Sequence, residues 1–202
     1  MSAASSKKIN RIVGMAVFAA IVVVLQAVAT YIRIPGVSIS PTLALAPIVV
    51  GAAMYGPAAG AFLGGAFGAV VLVGCATGAD VGGGILWAVN PALTGALCLV
   101  KGIAAGAAAG YLYNLFSKKN VYVGVICAAV ACPVVNTGIF LAAMNIFYRG
   151  TLTEWAGGAG LLYFTFIGLT GVNFLAEFGI NLVLSPAVAR IVSAVRRNAF
   201  AR

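Results

Sequence analysis

No residue between Arg33 and Asp80 carries a charge, and none between Asp80 and Lys101 does either. A soluble fold needs ionised side chains at short intervals to cover its surface, and ordinary domains carry about 25% of them. Here they make up 7% of 202 residues, while 63% are hydrophobic. Such a chain is expected to lie in lipid, where backbone groups must bond within their own segment and helices do this best. The expected fold is all-α, an integral membrane bundle. A soluble enzyme, a disordered tail and a disulfide scaffold are excluded.

Charges, prolines and glycines divide the bundle. Residues 12–32 are uncharged throughout, and at 1.5 Å per residue they reach about 30 Å, the hydrocarbon thickness. Ala27-Val28-Ala29 resembles a cleavage site behind the basic Lys7, Lys8 and Arg11. The apolar stretch is too long for a signal core, so it reads as a retained span. Gly56-Pro57 breaks the next stretch into helices near 42–55 and 58–74. Residues 75–98 hold Gly78, Gly82-Gly83-Gly84 and Asn90-Pro91 and read as a loop. Further helices are expected at about 99–116, 121–147 and 161–184, with a basic tail from Pro186 to the end. The whole, residues 1–202, reads as a single transmembrane domain.

Six helices put both termini on one side. With the termini cytoplasmic, Lys7, Lys8, Arg11, Lys118, Lys119, Arg190, Arg196, Arg197 and Arg202 lie inside, and Arg33 and Arg149 outside. This is the bias of the positive-inside rule. The net charge of +9 is therefore topology rather than a nucleic-acid surface.

Gly56, Gly60, Gly64 and Gly68 recur every fourth residue, as do Gly102, Gly106 and Gly110. That spacing lays a small-residue face along a helix for close packing. There is no histidine, and Cys75, Cys98, Cys127 and Cys132 lack C-x-x-C spacing. They read as small buried hydrophobes rather than metal ligands. No phosphate-binding glycine motif is present, so the chain itself is not expected to hydrolyse ATP. No cofactor and no metal are expected, and no enzyme activity.

The few polar residues at depth carry the functional reading. Glu177 costs about 2.5–3.5 kcal/mol at a helix centre, so it must face protein or water, pair, or be protonated. Asn173 and Asn181 lie four residues to either side, near Thr170, and form a polar stripe with it. Asn136-Thr137 makes a second polar spot beside Pro133. Both groups suit either ligand binding or interhelical hydrogen bonds. Lys101 would snorkel to the outer headgroups, meet an anionic ligand, or pair with Glu177. Trp87 and Asn90 would sit at the interface or cap a cavity, and Asp80 is expected in solvent.

Taken together, these segments resemble the substrate-binding S component of energy-coupling factor (ECF) vitamin transporters, over nearly the whole chain. The matching stretches are Ala16-x-x-x-Ala20, Pro47-Ile48-Val49-Val50-Gly51, Tyr55-Gly56-Pro57-Ala58-Ala59-Gly60-Ala61-Phe62-Leu63-Gly64 and Val100-Lys101-Gly102. Val135-Asn136-Thr137 and Gly171-Val172-Asn173 with Glu177 complete them.

The resemblance implies six helices, a plasma-membrane location and a partner T subunit, with two cytoplasmic ABC ATPases supplying the energy. It implies that Ala16 and Ala20 contact the T subunit, and that Trp87, Asn90, Lys101, Asn136, Thr137, Asn173, Glu177 and Asn181 line the substrate pocket. The Asn-Thr pair, the helix-six residues and the single base stand nearest the pantothenate-type branch. Riboflavin, folate or another small vitamin stays open, as does a self-contained secondary transporter or channel.

Overall fold

A computed structural model describes the backbone of residues 3–31, 44–169 and 171–200; the side chains of 3–8, 172, 173, 176 and 195–200 lie outside the description. Arg33 and Thr170 fall outside the described residues. So do the side chains of Asn173, Lys7, Lys8, Arg196, Arg197 and Arg202.

The described backbone is helical, with no strand. In chain order the helices are α1 (Ala3–Thr30), α2 (Leu45–Tyr55), α3 (Pro57–Thr77), α4 (Val81–Val89), α5 (Pro91–Phe116), α6 (Val121–Phe147) and α7 (Arg149–Ala156). A short α8 (Leu161–Tyr163) runs into a π-helical segment (Phe164–Leu169), and α9 (Gly171–Phe200) closes the chain. Five helices among the described residues are long and apolar enough to cross a membrane. The eleven-residue α2 falls short of that length and is largely buried in the bundle.

The centre of the fold is the α3–α5 pair. A Cβ added at Gly64 would run into the Gly102 carbonyl, and one at Gly106 into that of Gly60. The two glycine faces thus lie directly on one another, backbone against backbone. Intramolecular packing is what the small-residue spacing serves here. Phe67, Leu63, Ala105 and Ala109 fill the space around that contact with α2 and α6.

The loop expected over 75–98 is mostly helix, and the cause is local. Asp80 takes an extended backbone and its carboxylate accepts from Gly83 N at 3.3 Å, which caps α4. Asn90 accepts from Leu93 N at 3.0 Å with Pro91 at the first helical position. Asn-Pro there is a helix start, and α5 therefore begins at Pro91 instead of about 99. The glycines of α4 suit its site, since a Cβ on Gly83 would strike Cys75 Sγ.

The last helix also differs from expectation. The π-helical segment interrupts the stretch expected over 161–184, and Pro186 lies inside α9 rather than ending it. Proline offers no N–H to the carbonyl four residues back. The Ser185 hydroxyl donates to that carbonyl, Leu182 O, at 2.8 Å, so the helix continues and the basic stretch is helical.

Candidate functional site

A small cavity lies beneath α4, walled by Val71 and Cys75 of α3, Asp80, Gly83 and Leu86 at α4, and Thr94, Leu97, Cys98 and Lys101 of α5, with Phe140 of α6 closing it. Its free volume is about 30 Å³. That is the scale of one or two waters.

Lys101 is the cation of this cavity. It lies ten residues into α5, so its backbone is about 15 Å below the helix start. Nζ stands 5.9 Å from the centroid of Phe67 and 5.4 Å from that of Phe140. These are cation–π distances, and the ring faces flank the half-buried ammonium. No carboxylate among the described residues lies within ion-pair distance of it. Lys101 is half-buried and makes no ion pair with Glu177. Asp80 lines the same cavity, beyond ion-pair distance of the ammonium.

Asp80 corrects the expectation of solvation. It is 7% exposed, lines the cavity and holds two turns together: its N–H donates to Gly74 O at 3.1 Å, and its C=O accepts from Gly84 N at 2.7 Å. Sequence reasoning placed it in solvent because a lone acid in a glycine-rich stretch shows no partner by spacing alone. The signal was its position three residues before Gly83, an N-cap spacing.

Thr94 is the other residue that the sequence did not single out. It is buried on the cavity wall, with Oγ1 donating to Asn90 O at 2.8 Å and hydrogen-bonded to Tyr148 Oη at 2.7 Å. The bond to Tyr148 ties the start of α5 to the end of α6. Asn90 itself is exposed and serves as the α5 cap, while Trp87 is half-buried, packed against the core from α4 rather than lining the cavity.

The remaining expected residues form a second group. Asn136 is buried on α6 one turn from Phe140 and one turn from Cys132, and Thr137 beside it is half-buried. Glu177 and Asn181 are 2% and 3% exposed and turn into the bundle with Ser185, Ala189 and Val192 along one face of α9. Asn181 Nδ2 donates to Glu177 O at 2.8 Å. Glu177 lies within electrostatic reach of Cys132. Glu177 and Asn181 thus face protein, on the α6 side, and neither borders the cavity under α4. Among the described residues, no cluster could hold a metal ion.

Ala16 and Ala20 are exposed on α1, one turn apart. This helix buries only Val22, Gln26, Ala29 and Thr30 among its described side chains, all in its last third. Its first two thirds leave an apolar face open to lipid or to another helix.

A bundle with five helices long and apolar enough to cross a membrane defines a multi-pass membrane protein. Over residues 10–189 the chain matches the family model described as ECF transporter, substrate-specific component, and it belongs to that family. It is thus a membrane substrate-binding subunit of an ECF transporter, and a transport subunit rather than an enzyme. Membership implies association with T and ATPase modules and a small-molecule substrate. No curated protein and no solved structure matched the chain.

Proposed function

We propose that the chain captures a small anionic vitamin from outside the cell, pantothenate before riboflavin or folate, and that the carboxylate of the ligand meets Lys101 beneath α4. The observation that carries this is the Lys101 ammonium, set among Phe67 and Phe140 with no carboxylate partner among the described residues. An anion there would gain a charge-assisted hydrogen bond in a low-dielectric site. Asp80 and the Thr94 hydroxyl border the same cavity and can accept from hydroxyl and amide groups, which pantothenate carries.

Ligand pockets typically offer about 300–1,000 Å³. The cavity of about 30 Å³ must therefore widen to admit a vitamin. α4 is the element suited to move. It has nine residues, it is joined to α3 through Gly78 in a left-handed turn (φ 73°), and Asn90 alone separates it from α5. In this reading Trp87 and Asn90 act at the rim, and Asn136, Thr137, Asn173, Glu177 and Asn181 support the helices around the pocket or meet the far end of the ligand.

The accompanying topology has six passes, the five helices long enough to cross and the shorter α2, whose eleven residues do not span by themselves, with both termini cytoplasmic in the plasma membrane. Arg11 Nη2 donates to Tyr55 O at 3.1 Å, which supports placing the start of α1 and the end of α2 on one side. Ala16 and Ala20 would meet the T subunit, and two cytoplasmic ATPases would drive release inward.

The test is to purify the chain without additives, identify any co-purified molecule by mass spectrometry, and titrate pantothenate by calorimetry. A retained cationic compound, with no heat on adding pantothenate, would overturn the assignment.

A further inference from the structure

The two sulfurs in the cavity wall have no part in holding an anion. Cys75 Sγ and Cys98 Sγ lie 3.8 Å apart, both buried, one near the outer end of α3 and the other on α5. Each borders the same water-sized cavity as Lys101 and Asp80. Gly83 of α4 rests directly on Cys75, leaving no room for a Cβ. We propose that Cys75 and Cys98 form a reversible thiol–disulfide pair, oxidised by a peroxide that enters this cavity, and that the disulfide holds the base of α4 so that the cavity cannot widen. The second clause rests on the ligand reading above.

The geometry supports a link made at one flexible end. A disulfide needs about 2.05 Å between sulfurs, so they must close by about 1.8 Å. Below the pair, α3 and α5 are locked backbone to backbone: a Cβ at Gly68 would lie 2.5 Å from Cys98 O. Above it, Cys75 is two residues from the end of α3 and three from the Gly78 turn, so the approach falls on that end. Asp80 N–H bonds to Gly74 O there, and Gly83 packs on Cys75, so a shift at Cys75 is passed to α4.

The cavity volume selects the oxidant. With α4 closed, a space for one or two waters admits hydrogen peroxide, whereas a bulky disulfide such as that of a tripeptide thiol would need α4 to open first. One thiolate attacks a peroxide oxygen, the O–O bond breaks, and hydroxide leaves a sulfenic acid. The second thiol attacks that sulfur, its proton joins the departing hydroxyl as water, and the S–S bond forms. Two thiols are oxidised by two electrons and one peroxide is reduced. Two equivalents of a small thiol reverse the step by exchange.

The experiment treats purified full-length protein in detergent with hydrogen peroxide, blocks free thiols, and maps cross-linked peptides by mass spectrometry. Pantothenate titrations are run before oxidation, after it, and after dithiothreitol. The expected result is a Cys75–Cys98 cross-link, a raised unfolding midpoint without ligand, and an affinity at least about tenfold weaker that returns on reduction. In Cys98→Ser the affinity should be the same before and after peroxide, while Cys127→Ser should keep the full response. Both thiols remaining alkylatable after peroxide, a cross-link with unchanged affinity, or a peroxide response surviving in Cys98→Ser would each overturn the proposal. If the reduced protein binds no pantothenate, the Lys101 reading fails by itself. The cross-link and the ligand-free unfolding midpoint then decide the present proposal.

Discussion

Lys101 of α5 and Phe140 of α6 face each other across the cavity, the ammonium 5.4 Å from the ring centroid. The contact explains how a lysine survives about 15 Å below the helix start: aromatic faces on two sides replace part of its lost hydration. Lys101 is half-buried, and a cation–π contact gives about 0.5–2 kcal/mol depending on how far the ammonium is desolvated.

Replacing Lys101 by Met keeps the packing against Phe67 and removes the charge. Truncating one side of a buried charge pair costs about 2–5 kcal/mol. Pantothenate affinity should therefore drop at least about thirtyfold, while the neutral alcohol analogue of pantothenate binds Lys101→Met and the parent alike. Parallel calorimetric titrations of the two ligands read this directly; an equal loss for both would mean that the lysine shapes the site rather than meeting a carboxylate.

Asp80 separates capping from charge. Asp80→Asn keeps an acceptor for Gly83 N, whereas Asp80→Ala removes it and costs about 1 kcal/mol at the start of α4. The expected order of amide-exchange protection over 81–89 is parent and Asp80→Asn together, then Asp80→Ala clearly lower. Ligand affinity is a separate readout, because Asp80 also lines the cavity, and it should change in both variants. Equal protection in all three proteins would show that the cap does not hold α4.

Two adjacent glycines give a sharp stability contrast. A Cβ on Gly64 meets the Gly102 carbonyl, while one on Gly65 comes no closer than 3.5 Å, to Ile103 Cγ1. Overpacking costs about 1–3 kcal/mol, and a backbone obstacle cannot rotate away. Gly64→Ala should lower the unfolding midpoint in detergent by several degrees or fail to accumulate, and Gly65→Ala should match the parent or exceed it through helix propensity. Comparable midpoints for the two would mean that the α3–α5 contact is looser than the structure has it.

Much of this was legible in the sequence. The charge-free stretches defined a helical membrane protein, and the four-residue glycine spacing anticipated the α3–α5 contact. The inward turn of Glu177 and Asn181 followed from the cost of leaving them in lipid. The loop reading of 75–98 failed because Gly82-Gly83-Gly84 and Asn90-Pro91 carry two meanings. Glycine breaks a helix in isolation, but against Cys75 it is what lets α4 lie flat; Asn-Pro can end a turn or begin a helix, and only Leu93 N at 3.0 Å decides. The site was also read as one group. Spacing along α9 shows which residues share a face, yet cannot tell that the face meets α6 while Lys101 opens beneath α4.

The exposed start of α1 gives the last prediction. Its described side chains up to Ile21 include none that is buried, and Ala16 and Ala20 present two small positions one turn apart on it. Against lipid alone, a larger apolar residue there would be harmless or mildly favourable. Against a partner helix it would keep the backbones apart, because close approach depends on small residues. Ala16→Leu with Ala20→Leu should leave pantothenate affinity and the unfolding midpoint of the isolated chain unchanged. The same pair should abolish co-purification with a T subunit and uptake in cells expressing the complete transporter. Substituting Val13 and Val17 by Leu controls for bulk, since those positions are already large and exposed. If the double Ala variant assembles and transports like the parent, α1 faces lipid there, and the partner must dock elsewhere on the bundle.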